Sequence, residues 1–459
     1  MDFRDWCICV LAAGSGKRMK SSLPKVILPV LGKPLINYLL QLEIPHFSGK
    51  RFAVVSPFAF DQIQSIVDPT VQLVVQEKPL GTAHAVQSIL PYLGPEIQKI
   101  LVVYADMPLL EANTIRQFMT FFEKNRVPVA LLSTKSEKPD GFGRIKRDFQ
   151  GTPIKIVEEK DCSAEEKEIL EINLGIYAFQ KSEIGIILQS IQKNNIQKEF
   201  YLTDVLEMAR KFNFETMVYT VPWDAQFMNV NSPDDLSTVI GLFRRKKINQ
   251  LFESGVKIID PESIYVDWDV KCGKDVWLFP GTVIEGQSEI RENAKIGPYT
   301  HLIHSRIGKD CRIEYSVIED SILEDEVIVG PFTHIRMNSL IRKNARIGNF
   351  VEVKKSEIGE GTKALHHSYL GDAQLGKKVN IGAGTITCNY DGYKKHQTII
   401  YDYVFIGSNN SLVAPVTIGE GAYTAAGSTI TRDVPSQALG IGRARQVNID
   451  KWVEKKKNR

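Results

Sequence analysis

The sequence predicts an α/β domain on a parallel sheet, followed by a parallel β-helix of hexapeptide repeats. Three observations predict this. In the first half, short apolar runs at 8–12, 52–55, 101–104 and 129–132 alternate with helical segments, as strands covered on both faces do. Past residue 254, Val329, Ile335, Ile341, Ile347 and Val353 keep a strict six-residue register. Ile406, Leu412, Ile418 and Ile430 keep another, with Thr424 in its remaining slot. A glycine follows many of these aliphatics, as at Ile296-Gly297, Ile307-Gly308, Ile347-Gly348 and Ile418-Gly419. Each unit then gives one short strand and a turn, with the aliphatic side chain inward and the glycine easing the corner.

A chain of 459 residues exceeds what one core can organise, so at least two domains are expected. The boundaries read as 1–232, a helix at 233–253, and 254–459. Pro233, Asp234 and Asp235 open that helix well, and Arg244, Arg245, Lys246 and Lys247 lie toward its end. It reads equally as a linker and as the last helix of the first domain. Within the repeat, the register breaks between Ile381 and Ile406, at the turn-rich stretch 387–393. An insertion that leaves a regular solenoid is usually a loop on a working face.

Composition excludes several classes. A net charge of +3 makes no general case for nucleic acid. The six cysteines are scattered and form no C-x-x-C pair, which argues against a zinc site or a disulfide framework and for reduced thiols in a cytoplasmic protein. The apolar run at 6–13 follows Asp2, Arg4 and Asp5, and reads as a buried first strand, not a signal peptide. No stretch approaches the roughly 20 apolar residues of a membrane span.

The first strand runs into Gly14-Ser15-Gly16, a turn whose backbone N–H groups can cradle phosphate. Met19 stands where a dinucleotide fingerprint needs its third glycine, and the Walker A pattern is absent. Asp106 follows the run at 101–104, where α/β sheets place ligand groups.

With Arg18-Met19 and Pro24-Lys25, residues 11–25 resemble the signature L-x-x-G-x-G-x-R-M-x-x-x-x-P-K of the sugar-nucleotide pyrophosphorylases. The blocks Gln76-Glu77-Lys78-Pro79-Leu80-Gly81-Thr82, Tyr104-Ala105-Asp106, Gly141-Phe142-Gly143-Arg144, Val157-Glu158-Glu159-Lys160, Glu171-Ile172-Asn173 and Val230-Asn231 follow in the family's order. With the β-helix behind them, almost the whole chain is similar to the bifunctional N-acetylglucosamine-1-phosphate uridyltransferase/glucosamine-1-phosphate N-acetyltransferase family.

The resemblance implies an α/β Rossmann-like nucleotidyltransferase domain followed by a left-handed parallel β-helix. It implies acetyl transfer from acetyl-CoA to glucosamine-1-phosphate, then uridyl transfer from UTP with release of pyrophosphate. The product would be a precursor for peptidoglycan and lipopolysaccharide. For the first site, Leu11, Ala12, Ala13, Gly14, Lys25, Gln76, Gly81, Thr82, Tyr104, Ala105, Asp106, Gly141, Glu158, Asn173 and Asn231 would bind UTP or the UDP-sugar. Asp106 and Asn231 would hold Mg²⁺, Arg18 and Lys25 would stabilise developing charge, and Gln76 with Gly81-Thr82 would read uracil.

For the second site, the resemblance makes His366 the general base, with Glu352 in support. Arg336, Lys354, Tyr369 and Asn380 would bind the amino-sugar phosphate. Ala383, Asn389, Tyr390, Ser408, Ala426 and Arg443 would contact acetyl-CoA. His366 and His367 are expected on a short strand with their side chains on opposite faces. The basic tail Lys455, Lys456, Lys457 and Arg459 reads as a solvated end, with attraction of CoA phosphates as the other reading. Three departures stand out: Ala105 replaces a glycine, Asn229 offers a second asparagine, and His367 replaces a leucine.

The family also implies a homotrimer with acetyl sites between subunits, and neither nucleic-acid nor membrane partners. A single-activity sugar nucleotidyltransferase with the β-helix only as an oligomerisation module would lack His366 and the Asn389 loop as a set. A non-catalytic assembly protein would have lost Lys25 or Asp106. A different base or sugar is excluded only by the resemblance.

Overall fold

The computed structural model describes residues 2–14, 16–193 and 195–457; Ser15 of the glycine loop, Arg459 of the basic tail and the side chain of Lys17 lie outside the described residues. The chain divides into two compact units at Phe243 and Arg244. The division falls inside the helix Pro233–Glu253. Its first half supplies buried Val239 and Phe243 to one unit, where Phe243 lies 4.3 Å from the Tyr38 ring. Its second half supplies Ile248 and Leu251 to the core of the other. The helix therefore belongs to both.

The first unit is built on a mixed sheet. From edge to edge its strands run Thr216–Val221, Val129–Lys135, Glu171–Gln180, Lys99–Tyr104, Trp6–Leu11, Lys50–Val55 and Val71–Val75. Trp6–Leu11 is buried at every position, which explains its unbroken apolar run. The expected sheet was wholly parallel, but Glu171–Gln180 is antiparallel to both neighbours. The cause is the hairpin Arg144–Arg147 and Pro153–Val157, which keeps the chain at the C-terminal end of the sheet, so the next strand must run back. The hairpin edges the same end at which the glycine loop and Asp106 lie.

The second unit is a left-handed parallel β-helix of short parallel strands, with three buried ladders inside. One stacks Leu278, Ile296, Ile313, Val329, Ile347, Ala364, Ile381, Ile406 and Thr424. The second runs Ile284, Leu302, Ile318, Ile335, Val353 and Leu370. The third runs Ile290, Ile307, Leu323, Ile341, Ile358, Leu375, Ile400 and Ile418.

Most corners carry a residue with positive φ, a conformation that costs a non-glycine residue roughly 1–2 kcal/mol. One corner column uses Asp275, Asn293, Asp310 and Asn344, the types that tolerate it best. Another uses aromatic residues, Tyr299, Tyr315, Phe332 and Phe350, and continues with His367 and Gly384. Buried Ser and Thr beside the corners bind rung carbonyls, as Thr333 Oγ1 donates to Gly348 O at 2.6 Å.

The break in register is a hairpin. Tyr390 bridges Lys395 in antiparallel fashion, and the Asp391 carboxylate accepts the backbone N–H groups of Tyr393 and Lys394. Past Gly440 the chain is exposed, ending in the helix Trp452–Lys457 with Lys455, Lys456 and Lys457 in solvent. Among the described residues no helix is long and apolar enough to cross a membrane.

Ile335 is fully buried between Ile318 and Val353 in the second ladder. Ile335→Ala is expected to destabilise the β-helix by about 2–5 kcal/mol through lost burial and a residual cavity. Urea denaturation of the variant beside wild type checks this.

Candidate functional site

In the first unit the site grows from the ends of two parallel strands. Ala12 N donates to Val54 O, and Ala105 N donates to Leu11 O, so the glycine loop and Asp106 leave the sheet side by side. Val230 N donates to Asp106 O at 2.8 Å, which ties the segment carrying Asn231 to the same edge. Asp235 then fixes Asn231: its Oδ2 accepts the N–H groups of Asn231 and Ser232, while its own N–H donates to Ser232 Oγ. The cap of one helix thus holds Asn231 in place.

Lys25 Nζ donates to Asp106 Oδ2 at 2.6 Å and to Asn231 Oδ1 at 3.3 Å. Two oxygens from different segments therefore converge on one cation. Asp106 Oδ1 is buried without a hydrogen-bond partner among the described residues. A carboxylate with a spare oxygen and an amide oxygen beside it fits a hard divalent cation completed by phosphate and water. Asn229 offers no such convergence; its Oδ1 is buried and unpartnered among the described residues.

Two adjoining cavities of about 270 and 570 Å³ share Gly14 and Lys25. Leu11, Ala12, Ala13, Gln76, Gly81, Thr82, Tyr104 and Asp106 line the smaller; Arg18, Gly141, Glu158 and Asn231 line the larger. Gly81 cannot be another residue: its φ is +118°, and a Cβ would lie 2.4 Å from Phe200 O. Thr82 Oγ1 accepts the Leu202 N–H, so its hydroxyl helps fix this corner. Burial pushes the Glu158 carboxyl above its usual range, and burial beside Glu158 pushes the Tyr104 phenol well up.

Ala105 and Asn173 line neither cavity. Ala105 is buried, so the departure from glycine adds a methyl to the core. Asn173 is buried and engaged internally, donating to Tyr177 OH and accepting the Gly175 N–H. Glu159, Lys160, Gln197 and Glu199 also line the cavities. Glu159 and Lys160 sit in a quoted motif, whereas no motif flags Gln197 or Glu199.

In the second unit, residues two positions after the first ladder form one outer column. Asn349 and His366 pair in register, and Ala383, Ser408 and Ala426 occupy the same slot on later rungs. His366 Nδ1 lies 3.2 Å from Asn349 Oδ1. Glu352 is not hydrogen-bonded to His366 among the described residues; it accepts from Arg336 at 2.9 Å. Strand alternation does not separate the two histidines either. His367 has φ +38°, so the corner turns there and both rings are exposed.

Arg336 and Lys354 are neighbours in register on the second face. The insertion brings Lys395 against them: the Lys395 ammonium, with Arg336 behind it, pushes the Lys354 ammonium below its usual range. Lys354, Lys395 and Arg336 thus form a cationic cluster, with Arg336 also paired to Glu352. No sequence signal marks Lys395, because its partner lies far away in the chain. Asn389 Nδ2 donates to Asp372 Oδ2 at 2.5 Å and to Tyr369 OH at 3.4 Å, which joins the insertion to Tyr369. Tyr390 is exposed, its hydroxyl donating to Gly392 O; Asn380 pairs with Phe405 in register, and Arg443 is exposed beyond the last rung.

Residues 8–173 match the model of the MobA-like NTP transferase domain. Over nearly its whole length the chain is similar to proteins named Bifunctional protein GlmU. That of Thermosipho africanus is 46% identical, covering 98% of this chain and 97% of the relative. Those of Thermotoga petrophila and a Geobacillus species are 43% and 42% identical, covering 98% and 97% of this chain and the same shares of the relatives. The chain belongs to the bifunctional GlmU family. Membership accounts for two separate constellations in one chain, one per compact unit.

Removing Lys395 relieves the repulsion on Lys354. Lys395→Met is therefore expected to raise the Lys354 pKa, followed by NMR titration of labelled lysine side chains, and to weaken binding of inorganic phosphate at this face by about tenfold.

Proposed function

We propose that this chain makes UDP-N-acetylglucosamine in two steps: acetyl transfer from acetyl-CoA to glucosamine-1-phosphate, then uridyl transfer from UTP to N-acetylglucosamine-1-phosphate. The observation that carries the reading is the presence, in one GlmU-family chain, of both sets of groups: Lys25, Asp106 and Asn231 beside the glycine loop, and His366 with Arg336, Lys354 and Lys395 on the β-helix. The domain assignment follows, with uridyl transfer in 1–232, acetyl transfer in 254–459 and the helix between. It works in the cytoplasm and supplies cell-wall precursor.

In uridyl transfer, a phosphate oxygen of the sugar attacks the α-phosphorus of UTP, the bond to the β-phosphate breaks, and pyrophosphate leaves. Both partners are anions, so positioning and charge stabilisation dominate. Asp106 and Asn231 would hold Mg²⁺, which would neutralise phosphate charge. Gly14 offers its backbone N–H to phosphate. Arg18 and Lys25 stabilise the developing negative charge, and Gly141 and Glu158 bind the sugar.

In acetyl transfer, the sugar amine attacks the thioester carbonyl, its proton passes to His366, and the CoA thiolate leaves. The Asn349 oxygen accepts from Nδ1–H, which leaves Nε2 with the lone pair a base needs. Arg336, Lys354 and Lys395 bind the sugar phosphate, with Tyr369 and Asn380. The small residues Ala383, Ser408 and Ala426 give the acyl carrier a path along the column, with Asn389, Tyr390 and Arg443 beside it.

The active assembly is a homotrimer with each acetyl site between subunits. Exposed Tyr299, Tyr315, Phe332 and Phe350 support this, since their rings follow one another at 6.0, 5.6 and 5.6 Å up the corner that continues to His367. A contiguous exposed apolar strip of this kind marks an interaction surface.

The two activities are expected to separate. Asp106→Asn should lower uridyl transfer on the order of 10²-fold or more and leave acetyl transfer intact. His366→Ala should lower acetyl transfer about 10²–10⁴-fold with uridyl transfer unchanged, and His367→Ala should be close to neutral. Side-by-side assays of CoA thiol release and pyrophosphate release decide; a crippled His367→Ala would reassign the acetyl site by one residue.

Residues 244–459, which keep the cap of Lys247, Ile248 and Leu251, are expected to fold, trimerise and acetylate without the first unit. Multi-angle light scattering with an acetyl-transfer assay tests this, and an active monomer would refute it.

A further inference from the structure

Gln76 is buried at the smaller cavity, and its side-chain nitrogen has two neighbours. Nε2 lies 3.0 Å from Gly81 O and 3.0 Å from His84 Nδ1. The Gly81 carbonyl can only accept, so the amide must present its NH₂ on this side. His84 Nδ1 must then accept as well, which requires the neutral ring protonated on Nε2. Burial, with Lys193 nearby, lowers the His84 pKa and favours that neutral form. Both amide hydrogens of Gln76 are thereby used inside the protein. What the side chain has left for a nucleotide base is its carbonyl oxygen.

An acceptor fixed in this way distinguishes pyrimidines. Uracil carries an N–H at ring position 3, flanked by two carbonyl oxygens. Cytosine has a lone pair at that position, which would face the Gln76 oxygen with no proton between them. A site with a committed polar group rejects the mismatched analogue because the buried group is left unpaired. If the amide could turn over at little cost, it would present NH₂ to cytosine and the distinction would fade. Without His84, Gly81 O alone would oppose that turn. With His84 Nδ1 as a second acceptor, turning the amide forfeits the Gly81 bond and also forces His84 to move its proton from Nε2 to Nδ1 before a second bond can form again.

We propose that His84 is a positioning residue for base selection: it locks the Gln76 amide so that the cleft presents an acceptor, and so makes the first site take a base with an imide N–H and reject cytosine. This rests on the uridyl-transfer reading above. His84 does not touch the reacting phosphates and acts only through Gln76.

The test compares UTP with CTP as substrate, by pyrophosphate release from the full chain, in four proteins. His84→Ala and His84→Leu remove the acceptor, and leucine retains bulk at the position. His84→Asn restores an acceptor, since its Oδ1 can occupy the place of Nδ1. The ratio of kcat/KM for UTP to that for CTP is expected to fall about tenfold or more in both the alanine and leucine variants, and to recover in the asparagine variant. Acetyl transfer by the same samples, together with their melting temperatures, reports whether the fold is kept. An unchanged ratio in folded His84→Ala or His84→Leu overturns the proposal, as does a His84→Asn ratio no better than theirs. A wild-type chain that turns over no UTP, or takes CTP equally well, instead overturns the uridyl reading on which the proposal rests.

Discussion

In the second unit everything depends on each rung meeting its neighbours through backbone hydrogen bonds while its aliphatics fill the interior. Ile318, Ile335 and Val353 occupy the same place on successive rungs and exclude water from the same column. Since the interior is filled by the ladder aliphatics and the backbone is satisfied by the rungs above and below, the outward positions are free of structural duty. His366, Ala383, Ser408 and Ala426 can therefore stand in one line although long stretches of sequence separate them. The rigid repeat acts as a ruler that turns sequence period into spatial alignment.

The first unit reaches a comparable precision by different means. Its functional groups come from separate loops, and backbone bonds bring them together: Ala105 to Leu11, Val230 to Asp106, and Asn231 to the capping carboxylate of Asp235. None of these bonds involves a group that would touch substrate. They fix where the Asp106 and Asn231 oxygens sit, and Lys25 shows that one small cation can reach both. A shift in the helix cap would move the Asn231 amide without altering any side chain that lines the two cavities.

Much of this was legible in the sequence, for reasons that differ by element. The β-helix was plain because its period is short and its ladder positions admit mainly aliphatics such as Ile341 and Ile358. The first site was legible through blocks that resemble a known family. The direction of Glu171–Gln180 was not, because a strand buried on both faces has the same apolar pattern whichever way it runs. The partner of His366 was not, because the register that sets Asn349 beside it emerges only once the rungs are stacked. The third cation of the Arg336–Lys354 cluster was hidden for the same reason, since Lys395 approaches through a hairpin whose fold is set by Asp391. Alternation failed at His367 because a positive φ ends the two-residue period there.

The two ends of the β-helix are finished differently. At the first, Lys247 is buried and donates at 2.7 Å to both Trp268 O and Val270 O, while Ile248 and Leu251 cover the interior. At the other, the ladders run out at Ile430 and Val434, and the chain beyond is exposed. A stack plugged at one end and open at the other unzips with a polarity, losing its last rungs first. Ser408, Ala426 and Arg443 lie toward the open end, whereas Arg336 and Lys354 lie deeper in the stack. Heat or denaturant would therefore strip the rungs that carry Ser408 and Ala426 while those that carry Arg336 and Lys354 still stood.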